Sequence, residues 1–407
     1  MPEKGRSYFT LDQISRNQKI FLITGLDITV LITPVIVLVW LETGLNFDEM
    51  LLLQGIFVLP IILLEVPSGS IADYWSRKGC IVLFHLLFGS GMFFYAVGDS
   101  FIVFAFAELL AGMAISFKTG SETALIYDSL SVYSKYPNGI FGRLVANRMI
   151  ITFAGNAFGA IIGGIIALFT QIRLPILITF LGHLTFSGIA LYGYVEPPRV
   201  RARTPRAAIS KACSSLLRKP YLQLILLVSL TGLVFARVGF WAFQHIFVND
   251  YAINSFGMGI IMALLNISAA LTSVFVRSRV TQLTSTIVLI SLIIFEGLYL
   301  IALIQVQSVI GVLFVAILGQ ITRGSRTPII QSIMQNNLTS DERATFNSII
   351  SLIGSTFYLI ISWIVKFSSF SRSTTLLLSI LGISILLSLF LVISLTRLPT
   401  KKECSIE

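Results

Sequence analysis

GSIADYWSRK, residues 69 to 78, places an aspartate, an arginine and a lysine within six positions, between two long apolar runs. Upstream, Met50–Ala72 carries a single charge, and downstream Cys80–Gly98 carries none. Each run is close to the roughly twenty apolar residues that take an α-helix across about 30 Å of hydrocarbon. The decapeptide therefore reads as a turn at a membrane surface that joins two spanning helices.

The rest of the chain repeats the pattern. Of 407 residues 55% are hydrophobic and 12% charged, too little polar surface for a water-soluble globule. Six spans are expected near Ile20–Leu41, Met50–Ala72, Cys80–Gly98, Phe101–Leu125, Met149–Phe169 and Leu174–Val195. Six more are expected near Leu222–Phe243, Phe256–Val276, Thr286–Val306, Ser308–Ile330, Thr345–Phe367 and Thr374–Ile393. Nothing alternates with the period of two that a membrane barrel needs. The first run outlasts a signal-peptide core and is followed by no small-residue cleavage site, so it is expected to stay as the first span. The fold class is an all-α polytopic membrane protein of twelve transmembrane helices in two six-helix bundles.

Most of the 29 lysines and arginines crowd the connections on one side, among them Arg16, Lys19, Arg77, Lys78, Arg143, Arg148, Arg277 and Arg279. The opposite connections hold only Arg173, Lys366 and Arg372. This asymmetry places both termini in the cytoplasm and accounts for a net charge of +10 without nucleic acid. Cys80, Cys213 and Cys404 then all face the reducing side, with no spacing that suits a disulfide or a metal. The stretch PPRVRARTPRAAISKACSSLLRK divides the helices into residues 1–196, a basic cytoplasmic linker at 197–219, and 220–407 with a cytoplasmic tail. The linker reads first as a topology determinant, with binding of anionic lipid headgroups as the lesser alternative. The halves also echo each other: GSETALI (120–126) matches GSRTPII (324–330), and RLVAN (143–147) matches RATFN (343–347).

GSIADYWSRK resembles the signature G-x-L-A-D-R-x-G-R-K of the major facilitator superfamily, in the same turn between the second and third spans. Gly69, Ala72, Asp73, Arg77 and Lys78 match; Ile71 departs conservatively, and Tyr74 and Ser76 stand where the signature has a basic residue and a glycine. The twelve spans, cytoplasmic termini, central basic linker and half-repeats agree with it, so the resemblance covers essentially the whole chain, and EVPSGSIAD, GSETALIYDSL and RATFNS look like those of bacterial members near the drug and metabolite efflux branches. It implies that Gly69, Asp73, Arg77 and Lys78 form a latch between conformations; a plain solvated turn is the alternative. GNAFGAIIGG (155–164) resembles the exporter signature G-x-x-x-G-P-x-x-G-G with Ala160 in place of proline, and its glycines also suit close helix packing alone. Where the exporter pattern has an arginine four residues before a glycine, this chain has Glu108 before Gly112.

Ionisable residues at bilayer depth are costly and mark candidate function. The resemblance implies that spans 1, 4, 7 and 10 line a central cavity. That selects Asp27, Glu108, Lys118, Glu122 and Arg237 as substrate and proton-coupling candidates, and assigns His85, His183 and Glu296 to structural polar contacts. Asp27 and Lys118 lie at similar depth and are expected to face one another, as a competed charge pair or a permanent one. Arg237, followed by Trp241, Phe243, Gln244 and His245, suits an anionic or aromatic group, or an interfacial anchor. From the half-repeat, Glu122 and Arg326 are expected to pair as a cytoplasmic gate, with Arg323 and Asp128 as alternative partners.

No metalloprotease motif, nucleophile motif or phosphate-binding loop occurs, so an enzyme is not expected. The expectation is a monomeric secondary transporter of the bacterial inner membrane, without cofactors. It moves a small organic molecule, with proton-coupled efflux ahead of proton-symport import of an organic anion.

Overall fold

The computed structural model describes residues 10–118, 121–132, 137–197, 220–279, 286–337 and 340–368. Every regular element in them is helical. The linker beyond Pro197 and the expected twelfth span, 374–393, lie outside the described residues.

The elements run α1 Leu11–Ile23, a 3₁₀ turn Ile28–Ile32, α2 Ile36–Glu42, α3 Phe47–Tyr74, α4 Arg77–Val97, α5 Phe101–Lys118, α6 Ser121–Ser131, α7 Pro137–Phe169 and α8 Leu174–Gly193. After the linker come α9 Pro220–His245, a π-helical turn Ile246–Asp250, α10 Ser255–Arg279, α11 Thr286–Gln305, α12 Val309–Asn337 and α13 Ser340–Ser368. Ten of the resulting segments are long and apolar enough to cross a membrane, and Ile349–Ile364 is a shorter apolar helix. Large apolar side chains such as Ile102, Phe169 and Ile310 point outward, the surface a helix presents to lipid.

The chain divides into two compact units. One comprises Met1–Asn46, Leu53–Ala202 and Ala252–Ile267; the other comprises Phe47–Leu52, Arg203–Tyr251 and Ser268–Glu407. In the first, α4 packs along both α5 and α8, and the 3₁₀ turn lies on α7 and α8. Buried Asn17 ties α1 to α6 and to the chain after α8: its amide donates to Ser129 Oγ at 2.9 Å and to the Val195 carbonyl at 2.8 Å. In the second unit, α9 packs against α11, α12 and α13.

The decapeptide is a helix–turn–helix, as its charge predicts. α3 ends at Tyr74, and Ser76 caps α4 by accepting from the Gly79 N–H at 2.7 Å. Arg77 bridges to Asp128 of α6. Glu196, just past α8, accepts from the Ser76 hydroxyl at 2.7 Å and the Lys78 N–H at 2.9 Å. The turn is thus tied into its own bundle through α6 and the end of α8. The surroundings of Gly69 and the Asp73 side chain are outside what the structure describes.

The first span departs from the sequence reading. A continuous helix over Ile20–Leu41 is expected from its apolar run, yet the helix stops at Ile23 and resumes at Ile36. Pro34 has no N–H to serve the Val30 carbonyl, which instead accepts from Thr33, N–H at 3.1 Å and hydroxyl at 2.8 Å. Asp27 caps the intervening turn, its Oδ1 accepting from the Thr29 N–H at 3.2 Å and the Thr29 hydroxyl at 2.5 Å.

Candidate functional site at the break in the first span

A broken helix at membrane depth frees backbone groups that lipid cannot satisfy, so it survives only where protein surrounds it. Here α7 supplies the partners. Arg148 Nη1 donates to the Phe21 carbonyl at 3.0 Å, and the Thr152 hydroxyl donates to the Gly25 carbonyl at 2.8 Å. The GNAFGAIIGG stretch gives the break its seat. A Cβ at Gly155 would touch Leu26 at 3.4 Å, one at Gly159 would press on Val30 at 2.8 Å, and one at Gly163 would enter the Leu31 carbonyl. The glycine spacing therefore serves close packing, as its simpler reading holds, and the packed partner is the irregular backbone around Asp27.

Polar side chains gather round this break. Glu122 of α6 is buried, with Oε2 at 2.7 Å from Arg148 Nη2; Oε1 accepts from the Thr24 hydroxyl at 2.7 Å and the Tyr194 hydroxyl at 2.9 Å. The Arg148 guanidinium also lies over the Phe21 ring, 4.1 Å from its centre. Lys118 stands 4.7 Å over the Phe84 ring and within electrostatic reach of both Asp27 and Glu122, without forming a direct ion pair to either. Asp27 and Lys118 thus act on each other through their charges without a direct ion pair, while Asp27 Oδ1 is held by the cap.

His85 of α4 and His183 of α8, assigned from sequence to structural polar contacts, meet each other. Their Nδ1 atoms are 3.1 Å apart, so one proton lies between them. Both rings are buried among Phe84, Phe88 and Phe186, and His183 Nε2 has no hydrogen-bond partner. Glu108 sits apart from this group, its Oε1 accepting from Gln54 Nε2 and from the Tyr95 hydroxyl, each at 2.6 Å.

The second unit holds its own buried charges. Arg237 lies over the Tyr358 ring at 5.4 Å, with its Nη1 buried and without a hydrogen-bond partner. Arg326 pairs with Glu296 at 2.8 Å, leaving Glu296 Oε2 without a partner. Arg323 is exposed and donates to Gln320 at 3.1 Å. Both oxygens of Glu122 and the Nη1 of Arg326 are thus engaged inside their own units.

A family model described as "Major Facilitator Superfamily" matches residues 20–362. The chain belongs to the Major Facilitator Superfamily. Among curated relatives, the quinolone resistance protein NorA of Staphylococcus aureus is 29% identical over 137 residues, 34% of each chain, so the match spans about a third of that relative. Solved structures agree on the fold. A nucleoside transporter NupG variant superposes with a TM-score of 0.68 at 13% identity, covering 95% of this chain and all (100%) of that one. A bacterial homologue of the human lysosomal transporter Spinster, inward-facing and unoccupied, gives 0.66 at 16% identity, covering 96% of both. Membership places the chain among multi-pass membrane transporters rather than enzymes.

Within this superfamily member, the residue that sequence reasoning missed is Arg148. Its span was expected to begin at Met149, where apolar residues become continuous, which left Arg148 in a cytoplasmic connection. α7 begins at Pro137, twelve residues earlier. A helical reading back from the glycine ladder carries the signal: positions 148, 152, 155 and 159 share one face.

Proposed function

We propose that this chain is a secondary active transporter of the plasma membrane, with both termini cytoplasmic, that expels a small organic molecule in exchange for protons. The observation that carries this reading is the broken first span with Asp27 at its centre and Lys118, the His85–His183 pair and the Glu122–Arg148 pair around it. Discontinuous helices at membrane depth are a recurrent way of building binding sites in transporters, because they present backbone groups and helix ends to a ligand. Asp27 has one carboxylate oxygen committed to Thr29 and lies within reach of a lysine ammonium, so a proton or a cationic substrate group alters its balance. Superfamily membership and the NorA match support transport. The proton gradient supplies the energy, no cofactor is required, and the unit is a monomer in lipid.

A second reading has its own support. The Arg237 guanidinium, with an unpartnered Nη1 beside an aromatic ring, suits a carboxylate or phosphate group, which favours import of an organic anion with a proton.

Proteoliposomes carrying a pH-sensitive dye test both. Adding a quinolone outside vesicles with the protein inserted in a known orientation should move protons opposite to the drug in the efflux reading. Protons and an added organic anion moving together would favour import instead. Asp27→Asn keeps the cap, since Asn accepts equally well there, but removes the charge. It should insert normally and lose proton-coupled flux; full coupled activity in this variant would remove Asp27 from the mechanism.

A further inference from the structure

Glu108 is the buried carboxyl that the charge networks of its bundle leave out. It is 6% exposed and lies on α5, seven residues in from Phe101, and Gln54 lies on α3, seven in from Phe47. With the amino terminus inside, both stand about 10 Å below the outer surface. From α4 it is faced by Tyr95, whose ring stacks on Phe104 at 5.0 Å and contacts Trp40 of α2 at 6.4 Å. From α3 it is faced by Gln54. On its own helix the nearest charge is Lys118, ten residues on and about 15 Å along the axis. Asp48 and Glu49, at the outer end of α3, are engaged by Lys366. Among the described residues no lysine, arginine or histidine forms an ion pair with Glu108.

Both donors to Glu108 are neutral, and both reach the same oxygen, Oε1. An ionised carboxylate so held would carry an uncompensated charge at bilayer depth, which is costly and normally drives the group to its neutral form. The carboxylic acid fits the observed contacts without that cost: Oε1 is the carbonyl oxygen that accepts from Gln54 and Tyr95, and Oε2 carries the hydrogen. We propose that Glu108 is a proton-binding site, holding its proton in this arrangement and releasing it only when water reaches it between α3, α4 and α5. On release the O–H bond breaks, the proton passes to water, and the carboxylate remains hydrated. Its role as a carrier rests on the proton-coupled reading above; the binding of the proton does not.

Infrared difference spectroscopy on the full chain in lipid, stepped in pH, reads the C=O stretch of a protonated carboxyl directly. The expected result is a band at neutral pH that is lost in Glu108→Gln and moves to higher frequency in Tyr95→Phe, which removes one of the two hydrogen bonds to the carbonyl. Should Glu108→Gln fail to fold, the Tyr95→Phe shift decides alone. A spectrum unchanged by both substitutions, or no carboxylic acid band at neutral pH, overturns the proposal. Absence of proton-coupled quinolone flux with the band intact refutes only the transport reading.

Discussion

Arg148 Nη2 and Glu122 Oε2 meet at 2.7 Å inside the first bundle, where their side chains are 14% and 7% exposed. Neither charge has bulk water to fall back on, and both also hold up irregular backbone, Arg148 through Phe21 and Glu122 through Thr24. Removing one partner from such a pair costs about 3 to 5 kcal/mol, because the other stays buried and uncompensated. Arg148→Ala should therefore lower thermal stability in detergent sharply. Glu122→Gln in the Arg148→Ala background should recover a substantial part of it. Additive losses in that double-mutant cycle would show that the two residues act independently.

The seat of the broken span makes a second prediction by contrast. At Gly163 an added Cβ would run into the Leu31 backbone, with its Cα at 2.9 Å, whereas at Gly182 it would meet the end of the Ile28 side chain. Backbone has nowhere to go, while a side-chain tip swings away. Gly163→Ala should cost about 1 to 3 kcal/mol as overpacking, and Gly182→Ala clearly less, when both are read by thermal unfolding. Equal losses would mean that the 3₁₀ turn moves as freely as the isoleucine.

The span pattern was legible because bilayer thickness fixes run length, and the signature turn because its charges interrupt that pattern. Hydropathy averaged over a span could not show the break, since Leu26, Ile28, Val30, Leu31 and Ile32 keep the run apolar across it. Its signals were chemical: Gly25, Asp27 and Pro34 within ten positions. The partners of Glu122 were hidden for another reason. Arg148 and Tyr194 are brought to it only by packing of α6, α7 and α8, and no local spacing encodes that. His85 and His183, 98 positions apart, meet on the same terms.

At the end of α13, beyond its apolar stretch, Lys366 lies 3.1 Å from both Asp48 and Glu49. Burial works to lower the Lys366 pKa, but hydrogen bonds and charge from Glu49 and Asp48 outweigh it, so it stands above its ordinary value. A raised lysine pKa stabilises the folded form fully below the ordinary value of about 10.4 and loses that contribution as pH rises through the raised one. All three side chains are partly exposed, so the effect is at most about 1 kcal/mol and is screened by salt. Lys366→Gln should lower stability slightly at neutral pH and low salt. The difference should vanish above the raised pKa or in high salt; a large, salt-independent loss would point to packing instead.

Gly232 on α9 supports the Arg326–Glu296 pair of the second unit by leaving room for it. A Cβ at Gly232 would collide with the Arg326 guanidinium, and its Cδ would lie 2.8 Å away. The arginine can swing aside, so the steric cost alone is small. Moving it, however, breaks the 2.8 Å bond to Glu296 Oε1, and Glu296 Oε2 already has no partner. The carboxylate is then stranded on α11 with both oxygens unpaired. Gly232→Ala should therefore behave as the loss of a charge partner and cost several kcal/mol, far more than one methyl group in a tolerant site. Glu296→Gln should suppress it, because a neutral amide does not need the arginine to offset a charge. Thermal unfolding of the two single variants and the double variant decides the matter. Gly232→Ala alone below the double variant in stability supports the linkage, whereas a double variant that loses the sum of the two singles refutes it.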